Sequence, residues 1–284
     1  MFLNLRHAAK GALIRAAAST QPFDGFACEK TEPLMVATER LRTIQLKVER
    51  AIKHIDELAI ACKQFIDATP FTLGRDFDPK TGYYNFTVND LKSPPPQIGL
   101  MAGDAVHNLR SALDHLAYQL VLVNGHTPSR HTCFPIFDDA AKFSTMDPRK
   151  VSGMSRPAID AIAAAKPYKG GNEPLGVVHD LDIADKHHAL LTTLVSVTQL
   201  TIDVNVGLRD FKAPPFAAPN FQEPLKNGDV FFVCKPGVED NTKIAFDVAL
   251  CEPEIIRGKP IGQMLGRLVT HVNETIINFE PLLA

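Results

Sequence analysis

From Pro33 to about Phe65 the chain reads LMVATERLRTIQLKVERAIKHIDELAIACKQFI. Apolar residues recur there at steps of three and four: Leu41, Ile44, Val48, Ile52, Ile55, Leu58 and Cys62. That period holds for about six turns and predicts a long amphipathic helix with a solvated outer face of Glu39, Arg42, Lys47, Glu49, Arg50 and Lys53. A helix of this length with one apolar stripe must bury that stripe against other helices or a sheet.

Three further segments answer that need. The stretch at about 98–123 is helical, entered through the stiff SPPPQ at 93–97, where proline is tolerated because the first helical turn leaves its missing N–H without a partner anyway. EPLGVVHDLDIADKHHALLTTLV, 173–195, predicts a third main helix that runs into a strand, SVTQLTIDVNV. KPIGQMLGRLVTHVNETIINFEPLL predicts a closing amphipathic helix. PFTLGRDFDPKTGYYNFTVND reads as a β-hairpin turning at D-P-K-T-G, and DVFFVC with KIAFDVALCE as a second hairpin around KPGVEDNT. Asp76, Asp78 and Gly82 are spaced only loosely like a calcium loop: Lys80 stands at the third ligand position and the glycine falls one residue late. Residues 124–172 read as irregular, with FPIF as a buried plug and RPAIDAIAAAKPY as one short helix. The expected architecture is a single α+β domain over 1–284, with a helical-bundle core of about four main helices and inserted β-hairpins. Its parts are an arm (1–32), a first helix pair with a hairpin (33–123), an irregular insertion (124–172) and a second helix pair with a hairpin (173–284).

Composition narrows the function. Apolar residues at 45% and charged residues at 22% are ordinary globular values, and the net charge of −2 argues against a chain coated in basic charge for sequence-blind DNA binding. The absence of Trp and the presence of only four Tyr disfavour an aromatic platform for single strands. The five cysteines are scattered and form no C-x-x-C pair, which fits a reducing cytoplasm better than a zinc knuckle or disulfide scaffold. No apolar run approaches the roughly 20 residues needed to span a bilayer. The first 22 residues carry Arg6, Lys10 and Arg15 among interrupted apolar residues, a short amphipathic helix that docks on the body rather than a secretory signal. No G-x-S-x-G elbow, G-x-G-x-x-G or Walker A stretch is present, so serine hydrolase chemistry and nucleotide cofactors lack a motif.

The informative segment is GDAVHNLRSALDHLAYQL, 103–120. Asp104, Asn108, Ser111 and His115 fall on one helical stripe, with His107 and Asp114 beside it, while Val106, Leu109, Leu113, Leu116 and Leu120 form the core stripe. A solvated flank is normally built from Lys, Glu, Arg and Gln, so short polar residues in mid-helix predict polar partners inside the bundle. The 173–195 segment brings a second cluster in His179, Asp180, Asp182, Asp185, Lys186, His187 and His188, with His188 expected in the core. Imidazoles and carboxylates on two bundle helices could hold Zn, Fe or Mn through His107, Asp114, His115, His179, Asp182, Asp185 and His188, as in a metal-dependent hydrolase or oxygenase. They could equally carry metal-free acid–base chemistry with arginine as an anion clamp, or form a structural polar seam in a non-catalytic interaction protein.

Arg110 and His115, separated by four residues in R-S-A-L-D-H, resemble the R-x4-H signature of the HEPN superfamily. These are helical-bundle proteins, many of them metal-independent ribonucleases that place two such motifs across a dimer interface. The wider stretches HNLRSALDHLAYQLV and DLDIADKHHALL resemble a widespread class of bacterial proteins of unassigned function. The resemblance implies a homodimer acting on RNA without a cofactor. His115 would take the 2′-hydroxyl proton, Arg110 would hold the scissile phosphate, and Ser111 or Asp114 would orient the imidazole. On a continuous helix, five residues put Arg110 and His115 about 140° apart. Sharing one phosphate therefore requires Arg110 to swing along the helix or a second subunit to supply the other half.

Overall fold

The computed structural model describes residues 2–4, 39–187, 191, 193–202, 216–217, 223–238, 242–251 and 256–283. The expected docking helix at the N-terminus lies outside them except at its start, where Phe2–Asn4 forms a strand rather than helix, and the core position expected for His188 lies outside them as well. In order, the elements are β1 (Phe2–Asn4), α1 (Glu39–Asp67), β2 (Thr72–Asp78), β3 (Tyr83–Asn89), α2 (Pro96–Val123), α3 (Ala140–Ser144), α4 (Arg156–Ala164), α5 (Glu173–His187), β4 (Thr193–Ile202), β5 (Phe216–Ala217), β6 (Val230–Cys234), β7 (Thr242–Leu250) and α6 (Ile261–Asn278). The fold is α+β, with α1, α2, α5 and α6 as its long helices. Among the described residues no helix is long and apolar enough to cross a membrane. The chain divides into two compact units, neither continuous in sequence.

The first unit comprises 1–24, 59–99 and 192–261 and carries the strands. One sheet has the order β1-β7-β4 and the other β2-β3-β6-β5, with every pairing antiparallel. Phe246 of β7 lies 4.7 Å from Phe71 and 5.6 Å from Phe231 of β6, ring centre to ring centre, so one aromatic joins the two sheets. The first hairpin forms as its sequence implies. At its turn Asp78 accepts from the Lys80 N–H and the Thr81 hydroxyl, which holds its carboxyl below the usual range, and Gly82 takes a positive φ of 74°.

The second hairpin does not form. β6 pairs with β3 and β5, while β7 pairs with β4 and β1. The seven residues between Cys234 and Thr242 exceed the two-residue loops that enforce a hairpin, which lets the chain change sheets. β7 also buries Ile244, Ala245, Phe246, Val248, Ala249 and Leu250, apolar on both faces rather than alternating, as suits a central strand covered on both sides. A second correction concerns the third main helix. α5 ends at His187, and Thr193–Val195, expected as helix, begins β4. Clustered Thr and Val carry strand preference, which outweighs the helical spacing of that short apolar run.

The second unit comprises 25–58, 100–191 and 262–284 and is helical. Leu41, Ile44, Val48, Ala51, Ile55 and Leu58 of α1 are buried; Ala51 takes the inward place the spacing gives to Ile52, which is half-buried. Val106, Leu109, Leu113, Leu116 and Leu120 of α2 are buried as their period requires, and α6 adds Leu265, Leu268, Val272 and Ile276. The FPIF stretch is a plug: Phe134, Pro135 and Ile136 are buried, and the Phe134 ring meets Phe279 edge-on at 6.0 Å. Phe137 bridges to Tyr168, closing the irregular insertion onto the start of α5. Within that insertion α4 starts on Ser155, whose hydroxyl accepts from the Ala158 N–H, and carries Pro157 in its first turn.

Candidate functional site

Two neighbouring stripes of α2 carry its polar residues, and they face different surroundings. Gly103, His107, Arg110 and Asp114 recur at steps of four, three and four and meet α5 and the plug segment. Asp104, Asn108, Ser111 and His115 lie one position further round, where Asp104 and His115 are exposed and Asn108 and Ser111 half-exposed. The polar stripe expected to look inward therefore looks outward, and the inward polar partners come from its neighbour.

The inward stripe is zipped to α5 in antiparallel order. Gly103 faces Asp185, whose carboxyl occupies the space a side chain at 103 would need. The His107 Nδ1–H donates to Asp182 Oδ1 at 3.1 Å, and Lys186 donates to Asp182 Oδ2 at 2.6 Å. Arg110 lies near enough to His179 for its charge to act on that imidazole. Thus 103, 107 and 110 ascend α2 as 185, 182 and 179 descend α5. Asp182 is buried to 3% exposure and satisfied by two cationic or polar donors, as a buried carboxylate must be. Burial, and then the negative charge of Asp104 and Asp182, raises the Asp185 carboxyl above the usual range against the pull of His107 and Lys186.

Arg110 is only 7% exposed. Its Nη2 donates to Asp114 Oδ1 at 2.8 Å and to the Phe134 carbonyl at 2.7 Å, while the Phe134 N–H donates to the same Asp114 oxygen at 3.0 Å. Arginine and aspartate thus hold both polar groups of one residue of the plug. This orients Arg110 and Asp114 toward the 133–137 segment and away from His115. Nη1 of Arg110 and Nδ1 of His179 are buried without a hydrogen-bond partner among the described residues, a deficit of about 1–3 kcal/mol each unless something fills it. Burial, then the Arg110 charge, lowers the affinity of His179 for a proton, against the opposing pull of Asp180, Asp182 and Asp138. Further out, Lys169 bridges Asp180 at 2.9 Å and Asp138 at 3.3 Å.

Of the residues the sequence singles out, the structure brings His107 to Asp182 and Arg110 to Asp114. It leaves His115 on the exposed stripe and Ser111 half-buried there. No three His, Cys, Asp or Glu side chains converge into a group that could hold a metal ion among the described residues. The pairing that sequence reasoning missed is His107 with Asp182. A buried carboxylate fixes the tautomer and direction of a half-exposed imidazole and leaves Nε2 as the acceptor, the arrangement a histidine general base needs. A signal for it existed in the small residue Gly103 one turn before His107, which admits α5 closely.

The exposed stripe has a property of its own. Leu100 is 49% exposed, Tyr118 47% and Leu122 39%. With Asp104, His107, Ser111 and His115 they occupy an arc of about 80° on α2 that contains no lysine or glutamate. The pattern is symmetric about Ser111: Leu100 and Leu122 lie eleven residues to either side, Asp104 and Tyr118 seven, and His107 and His115 four. No family model matches the chain, and neither a curated protein nor a solved structure matches it.

Proposed function

We propose that this chain is a HEPN-like homodimeric module that acts on RNA phosphodiesters by metal-independent acid–base chemistry. The single observation that carries the reading is the buried Asp182 orienting the half-exposed His107. His107 is the general base that takes the 2′-hydroxyl proton, and His115 of a second copy is the general acid that protonates the leaving oxygen. The symmetric stripe supports the pairing. When two α2 helices pack antiparallel about Ser111, Leu100 meets Leu122, Asp104 meets the Tyr118 hydroxyl, and His107 meets His115, each from the opposite copy. A small residue at the crossing point lets the two helices approach. In this reading Arg110 and Asp114 position the site from behind through Phe134, and Arg110 does not itself touch the scissile phosphate.

The test is cleavage of a mixed-sequence RNA in the presence of a chelator, with light scattering on the same samples. A dimer is expected whose rate falls by about 10²–10⁴-fold in both His107→Ala and His115→Ala, and recovers in mixtures of the two variants that restore one intact site. Chelator-sensitive cleavage would instead support a metal centre. A second reading, a non-catalytic interaction protein, is favoured by the ion pairs and hydrogen bonds that Asp182 and Asp114 make within the seam. A dimer with no cleavage would leave that reading standing.

A further inference from the structure

We propose that Cys133 and Lys150 form a peroxide-sensitive pair, in which oxidation of the thiol joins Sγ to Nζ in a reversible sulfenamide crosslink. Two fixed stretches of backbone bring the side chains together. Cys133 stands immediately before Phe134, which is buried and has both of its backbone polar groups held by Asp114 and Arg110. Lys150 closes the single 3-10 turn Pro148–Lys150, which starts where the Asp147 carboxylate accepts from the Arg149 N–H and is followed by the buried Val151. The Cys133 N–H donates to the Lys150 carbonyl at 3.4 Å, and the Lys150 ammonium donates to Cys133 Sγ, also at 3.4 Å. No carboxylate pairs with Lys150 among the described residues, and the centre of the Phe137 ring lies 5.9 Å from its Nζ.

The chemistry follows from that contact. Peroxide oxidises the thiolate, and reactive cysteines sit partly exposed beside a cation. Among the described free cysteines Cys62, Cys234 and Cys251 are buried, whereas Cys133 is half-buried with an ammonium at its sulfur. In the first step the sulfur takes one oxygen from hydrogen peroxide, giving a sulfenic acid and water. A sulfenic acid then condenses with a neighbouring thiol or nitrogen. The next nitrogen along the backbone, that of Phe134, is engaged by Asp114, which leaves Lys150 Nζ as the nitrogen within reach. Having lost a proton to solvent, Nζ attacks the sulfur. The S–N bond forms as the S–O bond breaks, and the departing hydroxide leaves as water with the second proton of the amine. In sum, one thiol, one ammonium and one peroxide give the link, two waters and a proton; sulfur is oxidised and peroxide reduced. The link fastens the plug to the 148–150 turn. It is separate from the His107–His115 chemistry and does not rest on the RNA reading.

The experiment is mass spectrometry of tryptic digests of the full chain, before and after treatment with hydrogen peroxide. The expected product is the peptide His131–Lys142 joined to the peptide that begins at Lys150, about 2 Da lighter than the two together. Dithiothreitol separates them again. Lys150→Met loses the link, and its Cys133 passes on to sulfinic and sulfonic acid because nothing traps the sulfenic acid. The wild-type digest decides the matter even if that variant folds poorly. Recovery of Cys133 as a free thiol, or as a sulfinic acid on a peptide not joined to Lys150, would overturn the proposal. So would a linked pair that retains an oxygen atom, since the condensation expels it.

Discussion

Two stripes of α2 lie about one residue step, roughly 80–100°, apart around the helix axis, and each carries a histidine and an aspartate. One is closed: Gly103, His107, Arg110 and Asp114 each meet a group on α5 or the plug. The other is open: Leu100, Asp104, Ser111, His115, Tyr118 and Leu122 face outward, three of them large side chains with two-fifths to a half of their surface bare. The closed stripe lets short polar residues persist in mid-helix, because their hydrogen-bond partners are internal. The open stripe lacks the long charged side chains of an ordinary solvated face. Arg110 belongs to the first and His115 to the second, so R-x4-H is divided between a buried seam and an outward face. His107 sits at the edge of both.

The largest expected effect falls on the residue that joins the stripes. Asp182→Asn retains the volume and removes the charge that directs His107; cleavage of RNA should fall by about 10²-fold or more with the dimer intact. Unchanged turnover would detach His107 from the chemistry. Next comes the closed stripe. Arg110→Met keeps the bulk but strands the half-exposed Asp114 and the buried Phe134 carbonyl, and should cost about 1–3 kcal/mol of stability by denaturant unfolding. A loss below about 0.5 kcal/mol would show that the seam does not hold the plug. On the open stripe, Leu122→Glu should shift the protein to monomer in light scattering while changing the unfolding free energy of the monomer by less than about 0.5 kcal/mol. A dimer that survives this change uses another face.

The smallest effect concerns pH. The folded-state value of His179 lies below its ordinary 6.5. The unfolded chain therefore binds the proton more readily, and stability rises with pH across that interval. The contribution of His179 is fully present above about pH 6.5 and is lost as the pH falls toward the lowered folded value. His179→Gln should flatten that part of the stability profile, and an unaltered slope would assign it to other groups.

Much of this architecture is legible in the residues. The three-and-four spacing of Leu41, Ile44 and Val48 and of Val106, Leu109 and Leu113 marks buried helix faces, because a 3.6-residue period leaves few alternatives. FPIF is legible as a plug because four consecutive apolar or proline residues in a polar stretch have nowhere else to go. What escapes is long-range. Whether the KPGVEDNT connection closes a hairpin or changes sheets depends on β3 and β4, which precede β6 and β7 by many residues. In the same way, the period groups Asp104, Asn108, Ser111 and His115 on one stripe but carries no sign for its direction. That sign comes from Asp182, seventy-five residues from His107 along the chain, and from the gap at Gly103 that Asp185 fills. Periodicity measures rotation within one helix, whereas the partner across the gap belongs to another.

The claim on which the account turns is that the open stripe of α2 meets itself with Ser111 at the two-fold axis. Ser111→Cys tests it directly, by mild oxidation and non-reducing electrophoresis beside the wild type, in which Cys62, Cys234 and Cys251 are buried and the half-buried Cys133 sets the background that the wild-type lane measures. The account predicts a covalent dimer in Ser111→Cys that reduction reverses and that Leu122→Glu, added in the same chain, abolishes. A Ser111→Cys protein that stays monomeric under oxidation, at concentrations where light scattering finds a dimer, would contradict it.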